Sequence, residues 1–188
     1  MTHSKDAAIS PPSGDGGFTS GDGNYKVLYL IRHAKSSWDA DVPSDFDRPL
    51  NERGKKDAPV MAARLKDKKF TIDAFVSSPA KRAKKTAELF CEIYHVAEKT
   101  IHFIPELYHA QCSTYFEVVS SLDDRYNNVA IFSHNPGITD FANMLCHTID
   151  IDNMPTCSIV GIKILTNKWA NFKEAKKEFL FFDYPKNM

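Results

Sequence analysis

Four groups of residues in this 188-residue chain combine fixed positive charge, imidazole nitrogen and small polar side chains, each just after a short apolar run or its equivalent. They are Arg32-His33-Ala34-Lys35-Ser36-Ser37, then Ser77-Ser78 with Arg82 one helical turn on, then Pro105-Glu106, then Ser133-His134-Asn135-Pro136-Gly137. The mixture suits an anionic, tetrahedral ligand. Arginine offers a permanently charged planar fork that matches phosphate oxygens. Histidine can attack phosphorus, or take and give protons near neutral pH. A carboxylic acid such as protonated Glu106 can protonate a leaving group. Taken singly, each residue has an ordinary structural reading: a lone histidine after a strand is usually capped or solvated, and a loop glutamate is usually just solvated. On that basis His95, His102, His109 and His147 are assigned to surface or packing, and Lys81, Lys84 and Lys85 to a solvated helix face. Their coincidence after successive strands singles out Arg32, His33, Arg82, Glu106 and His134.

Other chemistries lack their signatures. The chain has no Gly-x-x-x-x-Gly-Lys-Ser/Thr loop and no Gly-x-Gly-x-x-Gly, the usual nucleotide cradles. It has no His-Glu-x-x-His and no tight Asp/His cluster, so neither a metal nor another cofactor is expected.

The elements that must position these groups alternate along the chain. Tyr25–Ile31 is a nearly continuous apolar run, as a strand buried on both faces requires. Asn51 can cap a helix with Ala58, Met61, Ala62 and Leu65 on one face, and Pro59 should kink it or mark a later start. Asp73–Ser77 reads as a second strand. Ser78-Pro79 supplies an N-cap and a first-turn proline for a helix through Ala83, Ala87, Phe90 and Tyr94. Ile101–Ile104 and Val129–Phe132 read as further strands, with helices over Ser113–Leu122 and around Ile138–Cys146. Ser158–Leu165 and Glu178–Phe182 close the series. This alternation predicts a three-layer α/β sandwich, a mainly parallel sheet flanked by helices. In such sheets ligands bind beyond the carboxyl ends of the strands, where the four groups fall.

Composition bounds the rest. Hydrophobic residues make up 43% and charged residues 26%, with 24 basic and 24 acidic side chains. Zero net charge argues against a general nucleic-acid binder, and no apolar run is long enough for a membrane span. Cys91, Cys112, Cys146 and Cys157 are far apart, so neither a disulfide framework nor a structural zinc site is expected, and a reducing, cytoplasmic setting is the default. Five of the eight glycines lie in residues 1–24, with one lysine against three aspartates. That segment is expected to be a flexible tail, leaving residues 25–188 as one slightly basic domain. The Asp-rich loop 39–47 reads as solvated, with a gate over the site as the alternative.

Leu30-Ile-Arg-His-Ala-Lys-Ser-Ser-Trp38 resembles the opening motif of the histidine phosphatase superfamily, in the form carried by its SixA-type phosphohistidine phosphatases. The resemblance continues through Asp45-Phe-Asp-Arg-Pro-Leu-Asn-Glu-Arg-Gly54, Ser77–Ala87, Ser133–Gly137 and Asn153-Met-Pro-Thr156. It implies a phosphoglycerate mutase-like fold and a phosphatase without a metal. His33 would be the nucleophile that is transiently phosphorylated. Arg32, Arg82 and His134 would form the phosphate pocket, Glu106 would be the proton donor, and Lys35 and Ser36 would line the rim. The substrate it implies is a phosphohistidine-bearing protein, such as a histidine-containing phosphocarrier, in signal transduction. A small phosphorylated metabolite is the alternative, and a phosphate-binding module without turnover a second one.

Overall fold

The computed structural model describes residues 25–38 and 42–187. The expected tail 1–24 and Asp39 and Asp41 of the Asp-rich loop lie outside the described residues.

Strand β1, Lys26–Arg32, alternates its side chains between two separate apolar cores. Leu28 and Leu30 enter one, while Val27, Tyr29 and Ile31 enter the other. A period of two on a strand apolar throughout requires cover on both faces. Helices α1 (Glu52–Asp67) and α2 (Lys81–Tyr94) cover one face through Ala58, Met61, Ala62, Leu65, Ala87 and Phe90. Helices α3 (Cys112–Ser120) and α4 (Gly137–Leu145) cover the other through Tyr115, Val119, Ile138 and Phe141. The result is the expected three-layer sandwich.

The sheet also contains β2 (Ala74–Ser77), β3 (His102–Phe103), β4 (Asn128–Ser133), β5 (Ile159–Ile164) and β6 (Lys177–Asp183), in the order β3-β2-β4-β1-β5-β6. Pairing is parallel from β3 through β2 and β4 to β1, and antiparallel from β1 to β5 and β5 to β6. Arg32 stands opposite Ser133 at the carboxyl ends of β1 and β4. The register therefore delivers His33 and His134 side by side. No described helix is long and apolar enough to cross a membrane.

Three local expectations change. Helix α1 starts at Glu52 and runs through Pro59, with Asn51 accepting the Gly54 N–H at 2.9 Å as its N-cap. The carbonyl that Pro59 leaves without its helical partner belongs to Lys55, which is exposed, so water can satisfy it. Ser78 does not cap α2: the helix begins at Lys81, its N-cap is Ala80, and no side chain caps it. The third strand is shorter than expected, only His102–Phe103.

Two glycines mark close approaches of backbone to backbone. A Cβ on Gly54 would collide with the Lys35 carbonyl, and one on Gly137 with the Ala110 carbonyl. The first contact lets α1 press on the loop leaving β1, and that loop carries His33.

Candidate active site

His33 follows β1 directly, is only 8% exposed, and donates its backbone N–H to the Ser133 carbonyl at 3.0 Å. Its Nδ1 lies 2.8 Å from the Ala34 carbonyl. A carbonyl only accepts, so Nδ1 carries the proton and Nε2 keeps its lone pair. Arg82, in the first turn of α2, donates from Nε to that Nε2 at 3.3 Å. Helix and loop are locked together: Thr86 Oγ1 accepts the Ala34 N–H at 3.0 Å and donates to the Arg82 carbonyl at 2.7 Å. Burial pulls the His33 pKa down to about 3, and the charges of Arg82, Arg32 and Arg48 act the same way against the opposing bond to Ala34. The imidazole is neutral at physiological pH.

His134 follows β4, its ring centroid 5.0 Å from that of His33. Its Nε2 is 2.8 Å from Ser78 Oγ, while its Nδ1 is buried without a partner. Burial, then the neighbouring His33, Arg82 and His109, lower its pKa to about 2. Arg32 donates from NH1 to the Met154 carbonyl at 2.5 Å and to Asn153 Oδ1 at 3.5 Å; its Nε is buried and unpaired. Asn135 holds the same two acceptors, so the 153–154 segment clamps Arg32 from below. The structure thus brings His33, Arg32, Arg82 and His134 to one place.

The remaining expected residues stand differently. Glu106 is exposed in the 3-10 turn Pro105–Leu107 and makes no hydrogen bond or ion pair with the described residues. Ser36 is buried rather than on the rim, accepting from Arg48 NH2 at 2.6 Å. Lys35 is half-buried, and its backbone carbonyl accepts the Asn51 N–H at 3.0 Å, tying the loop to the start of α1.

Three residues escaped the sequence reading. Asp45, assigned to a solvated loop, is a partner of the site. Its Oδ2 accepts from Arg82 NH2 at 2.9 Å and from the Tyr108 hydroxyl at 2.9 Å, and its Oδ1 from Arg48 NH1 at 2.8 Å. Its backbone carbonyl accepts from Arg82 NH1 at 2.5 Å. Partial burial raises its pKa, but the bonds from Arg48, Tyr108 and Arg82 and the Arg82 charge outweigh this and hold it well below the usual carboxylate range. Tyr108 sets its ring edge-on to His134 and to Phe46. Thr86 completes the set, and Ser78, named at its strand end, serves His134. The only sequence signal for Asp45 was its place beside Arg48 in the Asp45–Gly54 stretch.

A family model of the histidine phosphatase superfamily (branch 1) matches residues 28–108. An uncharacterised chloroplastic protein of Arabidopsis thaliana is 29% identical over 150 residues, covering 76% of this chain and 68% of the relative. A solved structure assigned as the phosphohistidine phosphatase SixA of Agrobacterium tumefaciens is 25% identical, with a TM-score of 0.71 over 85% of this chain and 98% of that one. The fold also matches the protein histidine phosphatase SixA complexed with tungstate, at 22% identity and a TM-score of 0.72 over 86% and 98% of the two chains. Residues 28–108 are thus similar to the histidine phosphatase superfamily, and the fold is similar to that of its SixA-type members. The chain is a phosphatase.

Proposed function

We propose that the chain dephosphorylates phosphohistidine in a protein through a phosphohistidine intermediate on His33, without a metal. The observation that carries the choice of substrate is the state of the two carboxylates. Asp45 is held ionised by two guanidiniums and a phenol, and Glu106 stands exposed and unpaired. Neither is set up to protonate an alkoxide. An imidazole leaving group needs no such donor: protonated on its free ring nitrogen, with an ordinary pKa near ~6.5, it departs neutral.

The reaction balances without an acid or base from the protein. His33 Nε2 forms a bond to phosphorus while the bond from phosphorus to the substrate nitrogen breaks, its electron pair leaving with the imidazole. Arg82 Nε–H, released from His33, turns to a phosphoryl oxygen. Arg32 and His134 complete the set around the equatorial oxygens. The Ala34 carbonyl keeps the Nδ1 proton in place and stabilises the phosphorylated ring. Water then bonds to phosphorus, the pair returns to Nε2, and both water protons leave on dihydrogen phosphate.

A phosphorylated histidine-containing carrier and a sugar phosphate are the substrates that test this. Faster turnover of the carrier, with an acid-labile phosphoryl label on the wild type and none on His33→Ala, is expected. Preference for the sugar phosphate would assign the site to small phosphoesters instead. With this function we propose residues 25–188 as the catalytic domain and the cytoplasm as its compartment, supported by four free thiols. Fractionation of the native protein tests the compartment against the chloroplastic one named for the Arabidopsis relative.

A further inference from the structure

We infer that Asp45 is a positioning residue of this site: it fixes the outer edge of the Arg82 guanidinium so that the inner edge faces the phosphoryl group on His33. The inference rests on reading Arg82 as a phosphate ligand.

Arg82 has five N–H groups, and three are engaged among the described residues: Nε on His33, NH1 on the Asp45 carbonyl and NH2 on the Asp45 carboxylate. Asp45 thus meets both terminal nitrogens, leaving one hydrogen on each for a ligand. A guanidinium on a flexible stem loses much of its value as a phosphate ligand if it must first be ordered; one already pinned does not. The pin is anchored in turn. Arg48 holds the other carboxylate oxygen, donates to the Ser37 carbonyl and to Ser36, and lies with its guanidinium carbon 3.4 Å from the centre of the Trp38 ring. The Tyr108 hydroxyl reaches the same carboxylate from the turn after β3. Phe46 beside Asp45 accepts the Lys81 N–H at 3.0 Å, fastening the segment to the start of the helix that carries Arg82. Asp45 therefore joins three stretches of chain at one oxygen pair.

The opposite role makes an opposite prediction. A carboxylate that occupied the place of the substrate anion would compete with phosphate, and its removal would tighten phosphate binding.

Calorimetric titration of the full chain with inorganic phosphate decides between the two. Asp45→Ala is expected to weaken phosphate binding about tenfold, and Asp45→Asn, which keeps one acceptor oxygen, by about threefold. Tyr108→Phe is expected to weaken it about twofold in the wild-type background and to add nothing in Asp45→Ala, because it acts through that carboxylate. Thermal melting of each variant separates these effects from loss of fold, and the isosteric Asp45→Asn supplies the comparison if Asp45→Ala does not fold. Unchanged or tighter phosphate binding by a folded Asp45 variant overturns the inference. Acid-labile labelling of the wild type keeps the two readings apart. Weakened phosphate binding in Asp45→Ala with no label on the wild type upholds Asp45 and sinks the phosphohistidine intermediate. A label together with phosphate binding indifferent to Asp45 does the reverse.

Discussion

A neutral imidazole buried against guanidiniums keeps its lone pair at pH values where a free histidine would be protonated. With the His33 pKa drawn down to about 3, protonation of His33 is not expected to set an acid limb of kcat near pH ~6.5. Single-turnover label formation is expected to rise as pH drops from 7.5 to 5.5, as the leaving imidazole gains its proton, while His33 stays neutral; a fall below pH ~6.5 would show that His33 titrates normally. His33→Ala is expected to reduce turnover by at least about three orders of magnitude. Glu106→Gln is expected to change turnover of phosphohistidine protein less than about tenfold, since the exposed carboxylate touches no site residue and the leaving imidazole needs no donor. Loss of that turnover in the variant would restore Glu106 as the acid. At this scale the sequence showed the groups that carry charge or lone pairs after a strand, because strand ends mark where side chains converge. Asp45 and Tyr108 were not legible: they reach the site across irregular segments, which have no periodicity to place them.

Elements put these residues in register, and their boundaries depend on details that pattern alone does not supply. The apolar runs of β1 and β4 were readable because each is buried on both faces. Ser78 looked like a cap from its place before Pro79, yet its hydroxyl serves His134, and α2 starts without a side-chain cap. Pro59 looked disruptive, yet α1 runs through it on a turn where Lys55, four residues earlier, is exposed. Gly54 had only a motif to recommend it, and its physical reason is the Lys35 carbonyl that leaves no space for a Cβ. Gly54→Ala must push α1 away from the loop that carries His33. A loss of about 1–3 kcal/mol is expected, read by denaturant melting, together with slower turnover. Wild-type stability in that variant would mean that the contact relaxes freely.

The whole molecule carries the electrostatic cost of its site. His33 and His134 have folded pKa values of about 3 and about 2, against ~6.5 when unfolded. Between these limits the unfolded chain binds protons that the folded chain does not, so stability is complete above pH ~6.5 and falls as pH drops toward 3. Each buried imidazole contributes a slope of up to about 1.4 kcal/mol per pH unit in that window. Denaturant midpoints from pH 7 to 4 are expected to fall in the wild type and to fall less steeply in His134→Asn; parallel slopes would show that His134 does not contribute. Asp45 has the other chemistry but the same sign: its depressed pKa keeps its contribution intact above the usual carboxylate range and loses it only in strong acid.

The strand order has a bearing on how the molecule comes into being. β4 lies between β1 and β2, so the strands that lead to His33 and Arg82 are not paired with each other and are joined through a strand made some fifty residues after β2. A chain growing from its amino end carries His33 and Arg82 long before it carries the strand that seats them side by side. Closing such long loops is slow compared with local helix formation. The candidate site is therefore complete only once β4 is in place, and a nascent chain ending before Ser133 holds Arg32, His33 and Arg82 without His134 or the strand that seats them.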